Sequence, residues 1–131
     1  MSEAPLILVA DDRIDSVELC RDLLGLEGYR VVVAFNGEEA LDRIRQHSPD
    51  LILLDLDMPL LNGYQVCERL KADAATADIP VLMLTAWAAP EHRIMGLQLG
   101  AEDYVSKPFD YRELLAKIRG IKQTLESFRQ P

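Results

Sequence analysis

A doubly wound α/β fold is what this sequence predicts, and three observations predict it. Short apolar runs alternate with longer amphipathic ones five times over. The short runs are continuously apolar rather than alternating, the pattern of strands buried on both faces of a parallel sheet that helices cover. Polar and charged residues gather just past the ends of those runs, the edge at which an open parallel sheet binds its ligands.

PLILVA, residues 5–10, is the first strand. Residues 15–27 form the first helix, with Asp15 and Glu18 spaced as an N-terminal capping pair and Gly28 as its stop. YRVVVA, residues 29–34, is the second strand. Asn36 caps the second helix, with Glu39 three places on, and that helix reaches His47. LILLD, residues 51–55, is the third strand, and the loop LDMPLLN leads into a third helix over residues 63–72. PVLMLT, residues 80–85, is the fourth strand, and a helix over residues 90–99 follows, ended by Gly100. DYVS, residues 103–106, is a short fifth strand, and Asp110 with Glu113 opens a last helix that reaches Phe128. Right-handed crossovers make this an open sheet with helices on both faces. For five parallel strands the common order is the flavodoxin-like 2-1-3-4-5, with ligands at the carboxyl ends of strands 1 and 3.

Composition sets the bounds. The chain has 131 residues, suited to one domain, and 49% of them are hydrophobic, enough for a core. A net charge of −8 and an isoelectric point near 4.7 argue against direct binding of nucleic acid or an anionic membrane surface. No apolar run approaches the roughly 18 residues of a membrane helix. The opening MSEAPLILVADD lacks the basic and apolar regions of a signal peptide. Cys20 and Cys67 fall inside helical patterns and read as reduced core thiols, which together with the missing signal predicts a cytoplasmic protein. His47 and His92 lie on polar helical stretches and read as surface residues.

The predicted strand order brings one set of side chains together. Asp11 and Asp12 follow strand 1, Asp55 ends strand 3 with Asp57 just past it, Thr85 ends strand 4, and Lys107 follows strand 5. Clustered carboxylates repel unless a cation offsets them. An oxygen-only set without cysteine or histidine suits Mg²⁺, which keeps several waters and a substrate phosphate. An aspartate can also act as a nucleophile and carry an aspartyl phosphate, with a lysine and a hydroxyl holding the phosphoryl oxygens.

Four motifs carry a family resemblance: the acidic pair in LVADD, then LILLDLDMPLLNG, VLMLTA and GAEDYVSKPF, in that order and spacing over residues 5–122. Together they resemble the receiver domain of two-component response regulators. The resemblance implies a phosphorylation switch rather than an enzyme. Asp55 would be the phosphoacceptor, and Asp12 a direct Mg²⁺ ligand with Asp11 helping through water. The Asp57 backbone carbonyl would complete the protein's share of the shell, and Thr85 and Lys107 would contact the phosphoryl group. Tyr104 matches the aromatic that turns inward on activation, when Thr85 moves toward the phosphoryl group, and the Lys107–Pro108 bond is expected cis. The donor would be a sensor histidine kinase or phosphotransfer protein. Two residues past Thr85, Trp87 departs from the smaller or polar side chain expected there, and with Asp57 it is a candidate for tuning hydrolysis.

Arg93, Glu102, Asp103, Glu113, Lys117 and Arg119 resemble the dimer face, built of helix 4, strand 5 and helix 5, of winged-helix DNA-binding regulators; Lys117 stands where arginine is usual. Residues 1–122 then form the receiver, and 123–131 extend the last helix toward an output domain or a partner helix. Leu114, Ile118, Ile121, Leu125 and Phe128 carry coiled-coil spacing. Three other readings are weighed. DLDMP resembles the DxD of haloacid-dehalogenase-type phosphatases, but that family places it on the first strand. A flavodoxin-type FMN binder needs a Ser/Thr/Gly-rich loop where this chain has DDRIDS. A pseudo-receiver that no longer accepts phosphate would not need the full acidic set and Lys107.

Overall fold

A computed structural model of the chain describes residues 4–86 and 90–129, of which 124–129 are described as backbone alone; Trp87 lies outside these residues. Five strands and five helices alternate: β1 (Leu6–Ala10), α1 (Ile14–Leu26), β2 (Arg30–Ala34), α2 (Gly37–His47), β3 (Leu51–Leu54), α3 (Gly63–Ala72), β4 (Val81–Thr85), α4 (Pro90–Gln98), β5 (Asp103–Ser106) and α5 (Tyr111–Arg129). All strands pair in parallel in the order β2-β1-β3-β4-β5. The order reverses between β1 and β3, where Ala10 lies level with Leu54.

Side chains that alternate along the strands build two cores. Leu8, Ile52, Leu54 and Met83 face α2 and α3, meeting Leu41, Ile44, Val66 and Leu70. Ile7, Val9, Leu53 and Leu84 face α1 and α5, meeting Cys20, Leu24, Leu114 and Ile118. Burying each of these large aliphatic side chains contributes about 1.5–3 kcal/mol. The inner strands β1, β3 and β4 are buried throughout, as continuous apolar runs demand. The edge strands differ: β2 is half-exposed over most of its length, and β5 is buried only at its centre, because each has a neighbour on one side only. Among the described residues no helix is long and apolar enough to cross a membrane.

Most helix signals act as expected. The Asn36 side chain accepts the Glu39 N–H at 2.8 Å, and Gly28 and Gly100 take the left-handed φ values of 89° and 105°. The Asp15–Glu18 pair does not cap α1. That helix begins one residue earlier, with Arg13 at its cap and Asp15 already in the first turn. The Asp11 carboxylate explains the shift: it accepts the Arg13 N–H at 3.0 Å and turns the loop early enough for Arg13's carbonyl to take Val17's N–H at 3.1 Å. At α5 the Asp110 carboxylate accepts the N–H of Arg112 at 2.8 Å. A reciprocal cap that the sequence reading did not anticipate starts α3, where Asn62 and Gln65 each accept the other's backbone N–H at 2.9 Å.

Candidate functional site

The site is built at the carboxyl ends of β1, β3, β4 and β5. Asp55 stands one residue past β3, and its N–H still bonds to the Ala10 carbonyl at 3.0 Å, so the ladder fixes its backbone. Asp55 and Asp11 are buried, at 6% and 3% exposure, whereas Asp12 is exposed. One carboxylate oxygen from each of Asp11, Asp12 and Asp55 can lie within 4.8 Å of the other two. Lys107, positioned by its N–H on the Thr85 carbonyl at 2.8 Å, brings its ammonium to Asp55 Oδ2 at 3.0 Å and also bonds to Asp11 Oδ2. The other Asp55 oxygen accepts the Asp57 N–H at 3.1 Å. The Asp57 side chain itself is exposed.

These contacts set the charge balance. Burial pushes the Asp55 carboxyl above its ordinary pKa; the Asp57 amide and Lys107 oppose that, and the Asp11 carboxylate adds to it. Burial alone would lower the Lys107 pKa, but its two carboxylate partners outweigh it and the ammonium is held above its usual value. Three carboxylates therefore face one ammonium. Oxygen-only donors at this spacing, with an excess of negative charge, fit a hard divalent cation such as Mg²⁺.

Thr85 is fully buried at the end of β4, level with Ser106 of β5. Tyr104 is also buried, at 7% exposure, and packs in the core shared with α2 and α3. Its hydroxyl has no hydrogen-bond partner among the described residues. Tyr104 therefore points into the core rather than toward solvent. The Lys107–Pro108 bond is cis.

The residues expected to form a dimer face separate into groups. Lys117 reaches Asp103 at 3.5 Å, Glu113 at 3.7 Å and the Tyr104 carbonyl at 2.8 Å. Glu102 pairs instead with Lys71 on α3, at 3.4 Å. Arg93 is exposed on α4. Arg119 does not join them: it reaches Glu27, at the end of α1, at 3.2 Å, because it leaves α5 on the side that packs against α1.

Two features escaped the sequence reading. A cleft of about 450 Å³ opens beside Lys107, lined by Arg13, Ser16, Leu19, Cys20 and Phe109 among others. His92, expected on the surface, is half-buried: its Nδ1 lies 2.8 Å from the Tyr64 hydroxyl, which also donates to the His92 carbonyl at 3.0 Å. No spacing signal links two residues 28 positions apart.

An open 2-1-3-4-5 sheet with clustered aspartates and a lysine at its switch point is the architecture of the CheY-like signalling domains. Comparison with known proteins narrows this: residues 7–119 match the response regulator receiver domain, and the chain belongs to that family. It is 48% identical over 115 residues to the transcriptional regulatory protein CpxR of Escherichia coli, covering 88% of this chain and 48% of that protein. It is 42% identical over 126 residues to the DNA-binding dual master transcriptional regulator RpaA of Synechocystis, covering 96% of this chain and 52% of RpaA. A CheY-like receiver domain protein from Methanospirillum hungatei superposes with a TM-score of 0.89 at 28% identity, covering 95% of this chain and 98% of that one. The chain spans about half the length of the curated relatives it matches. Receiver domains of this family bind Mg²⁺ at an acidic pocket, work with histidine kinases, and act as signalling switches rather than as classical enzymes.

Proposed function

We propose that Asp55 accepts a phosphoryl group from a phosphohistidine on a sensor kinase or phosphotransfer protein, and that the domain switches conformation in response. The observation that carries this reading is the buried Asp55 carboxylate held between the Asp57 amide and the Lys107 ammonium, beside Asp11 and Asp12. An Asp55 oxygen attacks phosphorus; the O–P bond forms as the P–N bond to the imidazole breaks, and the departing nitrogen takes up a proton. Lys107 stays within reach of the charge that gathers on the phosphoryl oxygens, and the Thr85 hydroxyl binds another of them. Asp12, Asp55 and the Asp57 carbonyl would hold Mg²⁺ directly, with Asp11 acting through water, and the ion would supply charge neutralisation between the two anionic reactants. Trp87 and Asp57 set how fast water removes the group again.

The output follows from the relatives. CpxR and RpaA are named as transcriptional regulators, so the receiver controls transcription through a partner or a further domain, in the cytoplasm. Signal leaves through the surface of α4, β5 and α5, or through the continuation of α5 past Ile121, with a second copy of the chain as the binding partner.

Acetyl phosphate or beryllofluoride with Mg²⁺ should modify or bind the wild type and leave Asp55→Asn untouched. Phosphorylation that survives in Asp55→Asn overturns the assignment. A wild type that takes neither reagent supports a pseudo-receiver instead.

A further inference from the structure

Helix α4 is the least anchored helix of the domain. Among its described residues only Gly96 is buried, while Ile94, Met95 and Leu97 point outward. Beneath it lie Met83 of β4, 3.7 Å from the Cβ position of Gly96, and Tyr64, the second residue of α3. His92 and Gly96 are four apart and so share one face of α4. The His92 ring stacks with the Tyr64 ring at 6.1 Å between centroids and 17° between planes. A Cβ on Gly96 would sit 4.0 Å from Tyr64 Cε1. The Tyr64 hydroxyl then closes the contact twice, at 2.8 Å to His92 Nδ1 and 3.0 Å to the His92 carbonyl. A hydroxyl that gives its one proton to the carbonyl is left to accept from Nδ1–H, so both bonds form together.

The other side of Tyr64 leads to the two parts of the switch. Its ring packs against the core cluster that contains Met83 and Tyr104. Its neighbour Gly63 lies so close to Asp55 that an added Cβ would fall 2.5 Å from the Asp55 carbonyl oxygen, and the Gly63 N–H bonds to Leu56 at 3.0 Å. The first turn of α3 is therefore fixed to the phosphoacceptor segment, and Tyr64 extends from that fixed turn to hold α4.

We propose that Tyr64 is a positioning residue of the switch: its doubly bonded hydroxyl latches α4 onto α3 through His92 and thereby holds the arrangement in which Tyr104 is buried. The proposal rests on reading the domain as a switch, and it adds the element that sets the resting balance between its two arrangements. Releasing the latch frees α4 to move and lets Tyr104 turn outward. Binding of a phosphoryl group at Asp55 favours the inward arrangement and opposes that release.

The test uses the full 131-residue chain. Tyr64→Phe keeps the ring and removes only the hydroxyl; His92→Ala keeps the carbonyl and removes the ring. Hydrogen exchange of the α4 amides should accelerate about 3- to 10-fold in Tyr64→Phe, the range expected for loss of a net hydrogen bond. Amides of β1, β3 and α3 should keep their wild-type rates. His92→Ala should move α4 in the same direction. A ¹⁹F spectrum of 3-fluorotyrosine-labelled protein should show the Tyr104 signal of Tyr64→Phe shifting toward the solvent-exposed position, and returning when beryllofluoride and Mg²⁺ are added. Exchange in α4 equal to wild type overturns the latch. Faster exchange with an unmoved Tyr104 signal overturns the positioning role. A wild type that fails to bind beryllofluoride refutes the switch reading itself, and the exchange data still decide whether the latch exists.

Discussion

Replacing Gly63 by alanine tests how tightly α3 is set against the phosphoacceptor. An added Cβ would lie 2.5 Å from the Asp55 carbonyl oxygen, 2.8 Å from Leu56 Cα and 3.1 Å from the Asp55 carbonyl carbon. All three are backbone atoms, so no rotamer relieves the clash. Optimal carbon–carbon contact begins near 3.5 Å, so helix and loop must separate by roughly 0.7 Å at Leu56. Overpacking of this kind costs about 1–3 kcal/mol. Alanine recovers up to about 1 kcal/mol through its better helix propensity. The net loss should be about 1–2 kcal/mol, which for a domain of this size lowers Tm by roughly 3–10 °C. Gly25 is the control: it sits in the last turn of α1 with nothing within 4 Å of its Cβ position, so Gly25→Ala should raise stability by about 0.5–1 kcal/mol. Thermal unfolding followed by far-UV circular dichroism reads both variants. A Gly63→Ala protein as stable as wild type would refute the close approach, and two variants shifting the same way would show that helix propensity alone governs both sites.

Lys71 ties the end of α3 to the following loop, donating to the Ala77 and Ile79 carbonyls at 3.1 and 2.9 Å and pairing with Glu102. Lys71→Met should lower stability in urea by about 1–3 kcal/mol through the carbonyls it leaves unmatched; a change under 0.5 kcal/mol would show that water replaces the ammonium. Burial pushes the thiols of Cys20 and Cys67 up to about 11, so at pH 8 about one in a thousand is thiolate. Ellman's reagent should therefore react slowly with the native protein and at once in denaturant, and full labelling of the native protein within mixing time would contradict their burial.

Much of this fold is written in local pattern. Four-residue apolar runs such as LILL are too short for a buried helix and read as strands buried on both faces, and their alternation with amphipathic helices points to parallel pairing. The residues of the site were legible because the chain places each at a strand's carboxyl end, so the strand order alone brings Asp11, Asp55 and Lys107 together. What pattern could not supply were choices between competing partners. Asp15 and Glu18 have capping spacing, yet the Asp11 carboxylate takes the Arg13 N–H first and moves the helix start. Arg119 lies two residues past Lys117 on α5, and two residues turn a helix by roughly 200°, which sends Arg119 to Glu27 instead of to the 113–117 pair. The Tyr64–His92 contact depends on how α4 settles on α3, a tertiary outcome with no sequence period behind it.

The distribution of anchoring bears on how such a domain can respond at all. Phosphoryl chemistry needs the carboxylates and the lysine held still: Asp11 and Asp55 stand just beyond the ends of the fully buried strands β1 and β3, and Lys107, past the edge strand β5, is tied by its N–H to the Thr85 carbonyl of the buried β4. Helices α1, α2 and α3 each bury three or four residues in the two cores, and α5 buries Leu114, Leu115 and Ile118. Helix α4 buries one glycine. A change of charge at Asp55 cannot displace the well-anchored elements without opening a core, which costs several kcal/mol per large side chain. In the proposed switch it would displace α4, which buries only Gly96, between Met83 and the Tyr64 ring, and local openings of low free energy are the ones a ligand can bias. The buried Tyr104 hydroxyl, without a partner among the described residues, keeps the inward arrangement from being too favourable, since an unsatisfied buried hydroxyl costs about 1–3 kcal/mol. If the proposed latch holds α4, its weakness and the unsatisfied Tyr104 hydroxyl would together bring the two arrangements close in free energy, the condition under which a single phosphoryl group could decide between them.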